Sequence, residues 1–320
     1  MQERSNKYFI YDNPRDINIR YYIRNLFLRM QAIIYKIFMN MVIPKKKEKK
    51  YYSAICTIFK DEAKYLKEWI EFHKIIGVNH IYMYNNFSSD DYQEVIAPYI
   101  ESGYVDLIDW MVPQGQLSAY AHCISNYRDE SQWIGFIDID EFVVPVEDDT
   151  VNIFLKKFEK NRAAVKIYWK LFGSSGRLNR NKKNLVTDDF YMCWEKYDEI
   201  GKCFYNTNYD VDFEFKRNNL LHHMFWGQVK GKNIPPVNCF DKICLRNDMN
   251  IVKNVKFPIQ INHYFTKSYE EYLDKKKRGD VYFKIDPKDD EYFYKHDELC
   301  QGTDYTIYKY MIKLKREINR

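Results

Sequence analysis

Trp133-Ile134-Gly135-Phe136-Ile137-Asp138-Ile139-Asp140-Glu141-Phe142 carries an apolar run straight into three acids within four positions. The apolar part reads as a buried strand. Carboxylates crowded at a strand end repel, and one of them resists ionisation unless a cation lies between them. A hard divalent ion, Mn2+ or Mg2+, removes that cost, and such ions favour carboxylate and phosphate oxygens. Asp138 and Asp140 are therefore the candidate metal ligands, and an ion held there has room for phosphate oxygens as its further ligands. An acidic turn facing solvent has the same letters, so the flanking sequence has to decide.

Upstream, apolar β-branched runs alternate with helical stretches. Tyr52 to Phe59 reads as a strand, and Ala63 to Ile76 as a helix capped by Asp61 and ended by Gly77. Asn79–Tyr84 and Tyr104–Asp109 read as strands, with helices over Tyr92–Glu101 and Leu117–Tyr127. That alternation predicts βαβ units and a mostly parallel sheet, whose ligands bind beyond the carboxyl ends of the strands. Three polar clusters fall at those ends: Lys60-Asp61-Glu62, Asn85-Asn86 and Asp138-Ile139-Asp140. Downstream the pattern weakens. A strand is expected within Asn161–Phe172, the stretch from Arg177 to Asn219 carries no clear period, and strand-like pieces recur at Lys242–Arg246 and Ile259–His263.

The chain has 320 residues, 46% of them hydrophobic, which is enough for a sizeable core. A net charge of +5 excludes a nucleic-acid binder on charge grounds. The seven cysteines are odd in number and form no C-x-x-C, which argues against a disulfide framework or structural zinc and for reduced thiols in the cytoplasm. The stretch from Ile17 to Ile43 is apolar but interrupted by Arg20, Arg24, Arg29 and Lys36, so it reads as a basic amphipathic helix and not a span. It either lies on an anionic membrane surface, helped by the lysines that follow Pro44, or packs on protein. The expected organisation is residues 1–50 for this helix, 51–282 for the main domain and 283–320 for a helical extension.

His263, after the strand-like Ile259–Asn262, is a candidate third metal ligand, with His222-His223 as an alternative pair. Lys267 and the Lys277-Arg278-Gly279 stretch offer positive charge for a diphosphate. Several pieces then stand in a telling order: Phe59-Lys-Asp-Glu62 with the helix to His73, Tyr84-Asn-Asn86 with Ser88 and Asp90, Gln116 with Cys123, and Phe136–Phe142. Trp169–Gly176, Asn262-His263-Tyr264 and Lys267–Tyr272 with Lys276–Gly279 complete them. On these, from about Ala54 to Arg278, the chain resembles glycosyltransferase family 92, a relative of family 2.

The resemblance implies a GT-A fold, a nucleotide-sugar donor (often UDP-linked), Mn2+ or Mg2+, and inversion at the anomeric carbon. Asp138 and Asp140 match the metal pair. Phe59, Lys60, Glu62, Asn85, Asn86 and Gln116 match donor-framing positions, and His263, Lys267 and Arg278 the region of the diphosphate. The family's Asn-Glu after the first strand is Asp61-Glu62 here, and Val186–Phe190 follows its acidic–basic–Phe pattern loosely. An inverting enzyme needs a carboxylate base. Asp188 and Glu141 are the candidates, with Asp210, Asp212 and Glu214 behind them. The function expected is transfer of a hexose, galactose favoured, from a UDP-hexose to a glycan or lipid-linked acceptor such as lipopolysaccharide, at the inner membrane face. A metal-dependent nucleotidyl or phosphoryl transferase is the alternative, though no glycine-rich phosphate loop is present; so is a glycan-binding scaffold of the same fold.

Overall fold

In the computed structural model, residues 8–10, 19–181, 183–246, 256–278 and 289–320 are described. After helix α1 (Ile19–Met41), four strands form one half of the main sheet. They are β1 (Tyr51–Phe59), β2 (His80–Asn85), β3 (Val105–Asp109) and β4 (Ser131–Phe136). All their pairings are parallel, in the order β3-β2-β1-β4. Helices α2 (Ala63–Ile75), α3 (Tyr92–Glu101) and α4 (Gln116–Tyr127) make the crossovers. Strands β2 and β4 are buried at every position, which explains why Ile81–Tyr84 and Trp133–Phe136 do not alternate with polar residues.

The second half adds β5 (Glu141–Pro145), β6 (Ala164–Leu171), β7 (Gly201–Asn206) and β8 (Ile259–His263). The full order is β3-β2-β1-β4-β7-β6-β8-β5. Strand β7 runs antiparallel to both β4 and β6, and β5 runs antiparallel to β8. The α/β architecture stands, and the sheet is mixed rather than parallel throughout. Two strands depart from the sequence reading. Strand β7 lies in the stretch without a clear period, and β5 begins on the third acid, where the sequence reading places no strand. Lys242–Arg246 forms no strand; only Ile243 bridges, to Val237.

Helix α2 has its apolar positions Tyr65, Leu66, Trp69, Ile70 and Phe72 buried, at the spacing of one face. Its cap differs from expectation. The Asp61 side chain does not cap it; Asp61 sits at φ 51° and its carboxylate accepts from Ser89 N at 2.7 Å. Asp90 from the next loop accepts from Ala63 N at 2.7 Å instead. Gly77, at φ 91°, ends the helix in a conformation that favours glycine.

Three further helices follow: α6 (Tyr269–Arg278), α7 (Asp290–Glu298) and α8 (Met311–Ile318), with α5 (Val151–Lys156) between β5 and β6. Gly279 and the expected boundary at 282 lie outside the described residues. All seven cysteines are free thiols and buried. Among the described residues no helix is long and apolar enough to cross a membrane.

Candidate active site

Parallel strands β1, β2 and β4 bring three chain segments to one edge of the sheet. Beyond β4 the backbone makes a tight turn over Asp138–Glu141. Glu141 N donates to Asp138 O at 3.0 Å, and Asp138 N donates back to Glu141 Oε2 at 3.0 Å. From α2, Trp69 Nε1 donates to the carbonyls of Asp138 and Glu141 at 3.0 and 2.8 Å. Tyr264 N, just after β8, donates to Asp140 O at 2.8 Å. The acidic turn is therefore held from both halves of the sheet.

Each acid meets a different environment. Asp138 Oδ1 accepts from Tyr120 Oη at 2.9 Å and Gln116 Nε2 at 3.2 Å, both on α4, and its Oδ2 lies 2.6 Å from Lys202 Nζ on β7. Burial works against its charge, but Lys202 and these donors outweigh burial and lower its pKa. Asp140 Oδ2 lies 2.6 Å from Lys275 Nζ, and its Oδ1 lies 3.6 Å from His263 Nε2. Burial is again outweighed, by Lys275 and His263, and the Asp140 carboxyl is held well below the usual range. Glu141 is fully enclosed, 3.5 Å from Lys202, and burial pushes its carboxyl well above the usual range.

A second layer of charge closes round Asp140. Glu62, raised by burial, lies 3.2 Å from Arg278 Nη1. Arg278 also donates to the Asp61 carbonyl, and Lys60 Nζ returns a bond to Arg278 O at 3.0 Å. Lys267 is buried at φ 53°, with its Nζ 4.4 Å from the centre of the Tyr65 ring; burial brings its ammonium down to about 8. Four side-chain cations, Lys202, Lys267, Lys275 and Arg278, thus face two carboxylates held ionised and two that burial pushes toward the neutral form.

Other expected residues are placed differently. Phe59 is buried edge-on to Tyr92. Asn85 spends its amide on Tyr92 Oη and Asp109 Oδ1, each at 2.9 Å, and Asn86 spends its amide on the carbonyls of Trp110 and Val112 at 2.7 and 2.9 Å. Both asparagines hold loops in place. Asp188 sits on a one-turn helix, Val186–Asp189, whose backbone is gripped by Glu68, and it pairs with Lys315 of α8 at 2.8 Å. It is not among the partners of the acidic turn. His222 and His223 are buried or half-buried beside Tyr120 and Trp169.

The metal candidates meet unlike surroundings. Among the described residues no group of three His, Cys, Asp or Glu side chains stands ready as a ligand set. Asp138 has both oxygens engaged. Asp140 Oδ1 and His263 Nε2 face each other, and His263 Nδ1 has no partner among the described residues. Burial lowers the His263 pKa, which favours the neutral ring that metals bind. A carboxylate oxygen and a neutral imidazole nitrogen suit a divalent ion, with Lys275 on the other oxygen of Asp140. Sequence reasoning missed Lys202, Tyr120 and Lys275. Lys202 left one trace, a lone cation in the otherwise apolar Gly201-Lys-Cys-Phe-Tyr205.

The fold and the cluster together define an α/β protein with a charged site at the carboxyl edge of its parallel strands. The chain belongs to glycosyltransferase family 92, whose model matches residues 49–228, more than half of its length. A glycosyltransferase family 92 protein of Oryza sativa subsp. japonica is 33% identical over 150 residues, which cover 46% of this chain and 25% of that protein. A galactan beta-1,4-galactosyltransferase of Arabidopsis thaliana is 28% identical over 130 residues, 36% of this chain and 25% of that one. The chain spans a quarter or less of the length of the curated relatives it matches. Among solved structures, residues 1–349 of S. aureus TarS align with a TM-score of 0.35 at 10% identity, over 49% of this chain and 47% of that one. Glucosyl-3-phosphoglycerate synthase of Mycobacterium tuberculosis, in complex with Mn2+, UDP and glucosyl-3-phosphoglycerate, aligns with a TM-score of 0.26 at 14% identity, over 37% and 44%.

Proposed function

We propose that the chain transfers a hexose, galactose favoured, from a UDP-sugar to a glycan acceptor of the lipopolysaccharide or surface-polysaccharide kind, with inversion. The observation that carries this reading is the cluster at the sheet's carboxyl edge, in a chain of glycosyltransferase family 92. Its four cations, Lys202, Lys267, Lys275 and Arg278, surround the acidic turn. Such an arrangement suits a ligand with several phosphate oxygens. Galactose is favoured because one relative bears the name of a galactosyltransferase.

In this reading Asp140 and His263 hold Mn2+ or Mg2+. The ion, when bound, neutralises charge on the departing diphosphate. Lys267 and Arg278 steady the diphosphate oxygens, and Lys275 exchanges part of its bond with Asp140 for them. Asp138 is a positioning residue: it ties Lys202, Tyr120 and Gln116 into one unit beneath the donor. Glu141 braces the turn from inside. Inversion calls for a carboxylate that takes the acceptor hydroxyl proton. Asp188 is paired with Lys315 of α8 and is not a partner of the acidic turn, and Glu141 is enclosed, so neither carboxylate is assigned that role.

The test is turnover with a panel of nucleotide sugars, with and without EDTA, alongside the shift in melting temperature that each donor causes. A UDP-hexose should raise the melting temperature and be consumed only with divalent ion present. Asp140→Asn should lower turnover on the order of a hundredfold or more, the scale lost with a group that stabilises transition-state charge, in protein that still unfolds cooperatively, though at a lower midpoint because Lys275 loses its partner. A folded chain that neither shifts with any donor nor consumes one overturns the proposal.

A further inference from the structure

We infer that α1 is a membrane-surface anchor, whose outer face lies in the headgroup layer of an anionic lipid bilayer while its inner face is bolted to the catalytic body. The inference goes beyond the transfer reading and does not depend on it.

Helix α1 has two apolar faces, and only one of them is covered. Leu28 and Met39 are buried, and Ala32, Tyr35 and Val42 pack beside them against the core. Tyr35 meets Trp226 with ring centres 5.9 Å apart, Lys232 lies 5.1 Å over the Phe38 ring, and Asn161 donates to Asn40 at 2.7 Å. At ~100° per residue these five positions fall within about 40° of one line along the helix. Ile23, Phe27, Met30, Ile34, Ile37 and Met41 recur every three or four residues on the opposite side, each between 56 and 78% exposed. Leu26 and Ile33, also exposed, widen that stripe. A large, continuous apolar stripe left in water marks an interaction surface rather than a chance residue.

Charge identifies the occupant. From Ile17 to Lys47 the sequence contains no acid. Arg29 and Lys36 are exposed and lie on the border of the outer stripe, about 80–100° from the packed line. Lys45, Lys46 and Lys47 follow directly and are exposed too. An apolar wedge bordered by cations suits a layer whose surface is anionic and whose interior is hydrocarbon. A second copy of the helix suits it poorly, because self-pairing sets the cations of one helix beside those of the other. The helix is also too polar to cross a membrane, so it would lie in the plane of the surface. The ties from Lys46 to Glu159 and from Lys47 and Lys49 to Asp129 fix the connecting segment to the body, and so fix how the body sits on the bilayer.

The test is co-sedimentation of the full chain with vesicles of phosphatidylcholine alone and of phosphatidylcholine with phosphatidylglycerol in equal parts, at low and high salt. Binding should be at least about tenfold tighter to the anionic vesicles and should weaken with salt. The triple variant Phe27→Ser, Ile34→Ser and Ile37→Ser should stay in the supernatant while keeping its melting temperature, since those side chains make no core. Arg29→Glu with Lys36→Glu should remove the preference for anionic lipid. A chain that ignores both vesicle types overturns the inference. So does a lipid-free dimer, seen by analytical ultracentrifugation, that the triple variant dissolves, because the face would then belong to a second copy.

Discussion

At Lys202 one ammonium answers two acids, 2.6 Å from Asp138 Oδ2 and 3.5 Å from Glu141 Oε2, with almost no exposure of its own. Removing one member of a buried pair strands the other charge without water. Lys202→Met should therefore cost about 3–5 kcal/mol in urea unfolding. The double variant Lys202→Met with Asp138→Asn should recover part of that loss, because the stranded charge is gone. A double variant no more stable than the single one would show that Lys202 matters by packing alone. The acids were legible in the sequence because an apolar strand runs straight into them. Lys202 was not, because its partners arrive from 64 and 61 positions away and only the fold brings them together. The same holds for Asn85 and Asn86. Their positions at a strand end were readable, but their commitment to Asp109, Trp110 and Val112 depends on where the next loop falls.

Strand β7 joins the parallel half of the sheet to the rest, pairing with β4 on one side and β6 on the other. Its register is tight enough to exclude a methyl group. A Cβ on Gly201 would lie 1.9 Å from Ile167 O, a backbone atom of the neighbouring strand. A Cβ on Gly135 in β4 would meet the Phe204 ring at 2.5 Å. Gly135→Ala should thus cost about 1–3 kcal/mol, the ordinary cost of overpacking, since a ring can shift. Gly201→Ala should exceed that range, because backbone can retreat only by breaking the ladder. Equal urea midpoints for the two variants would sink this comparison. The elements of the first half were legible because helices and strands alternate with clear ends: helix α3 spans Tyr92–Glu101, as its pattern foretold, and Gly77 ends α2. Strand β7 lacked such marks, and β5 was hidden because its first residue, Glu141, is a buried acid where a polar turn is the ordinary reading.

The whole molecule carries its sensitivity to acid in buried histidines rather than in its exposed charge. His73 on α2 is enclosed among Trp69, Phe72 and Phe142. Its Nδ1 lies 2.9 Å from Trp69 O, so that nitrogen carries the hydrogen, and its Nε2 accepts from Val143 N at 3.3 Å. The neutral ring thereby joins α2 to β5 and has no room for a second proton. Burial lowers its pKa to about 3, and burial, with Lys202 nearby, does the same to His223. In the unfolded chain both rings titrate near ~6.5. Between about pH 6.5 and 3 the unfolded chain therefore binds protons that the folded chain refuses, so stability is full above that window and falls as the pH drops through it. Each such proton contributes roughly 1.4 kcal/mol per pH unit. Glu159 acts lower down. Burial raises its pKa, but Lys46, Lys156 and Tyr52 outweigh burial and bring it to about 2, so its contribution fades only between about pH 4.5 and 2. The histidine contribution to urea stability should accordingly weaken well above pH 4.5, opposed by Glu62, Glu68 and Glu141, whose raised carboxyls take up protons first in the folded chain. His73→Gln should lower stability at pH 7 by about 1–3 kcal/mol, through the unmet Val143 N–H. The same variant should flatten the slope from pH 6.5 downward. A variant whose slope matches the parent's across that window would mean that His73 gains its proton in the folded state, with the α2–β5 joint open at neutral pH.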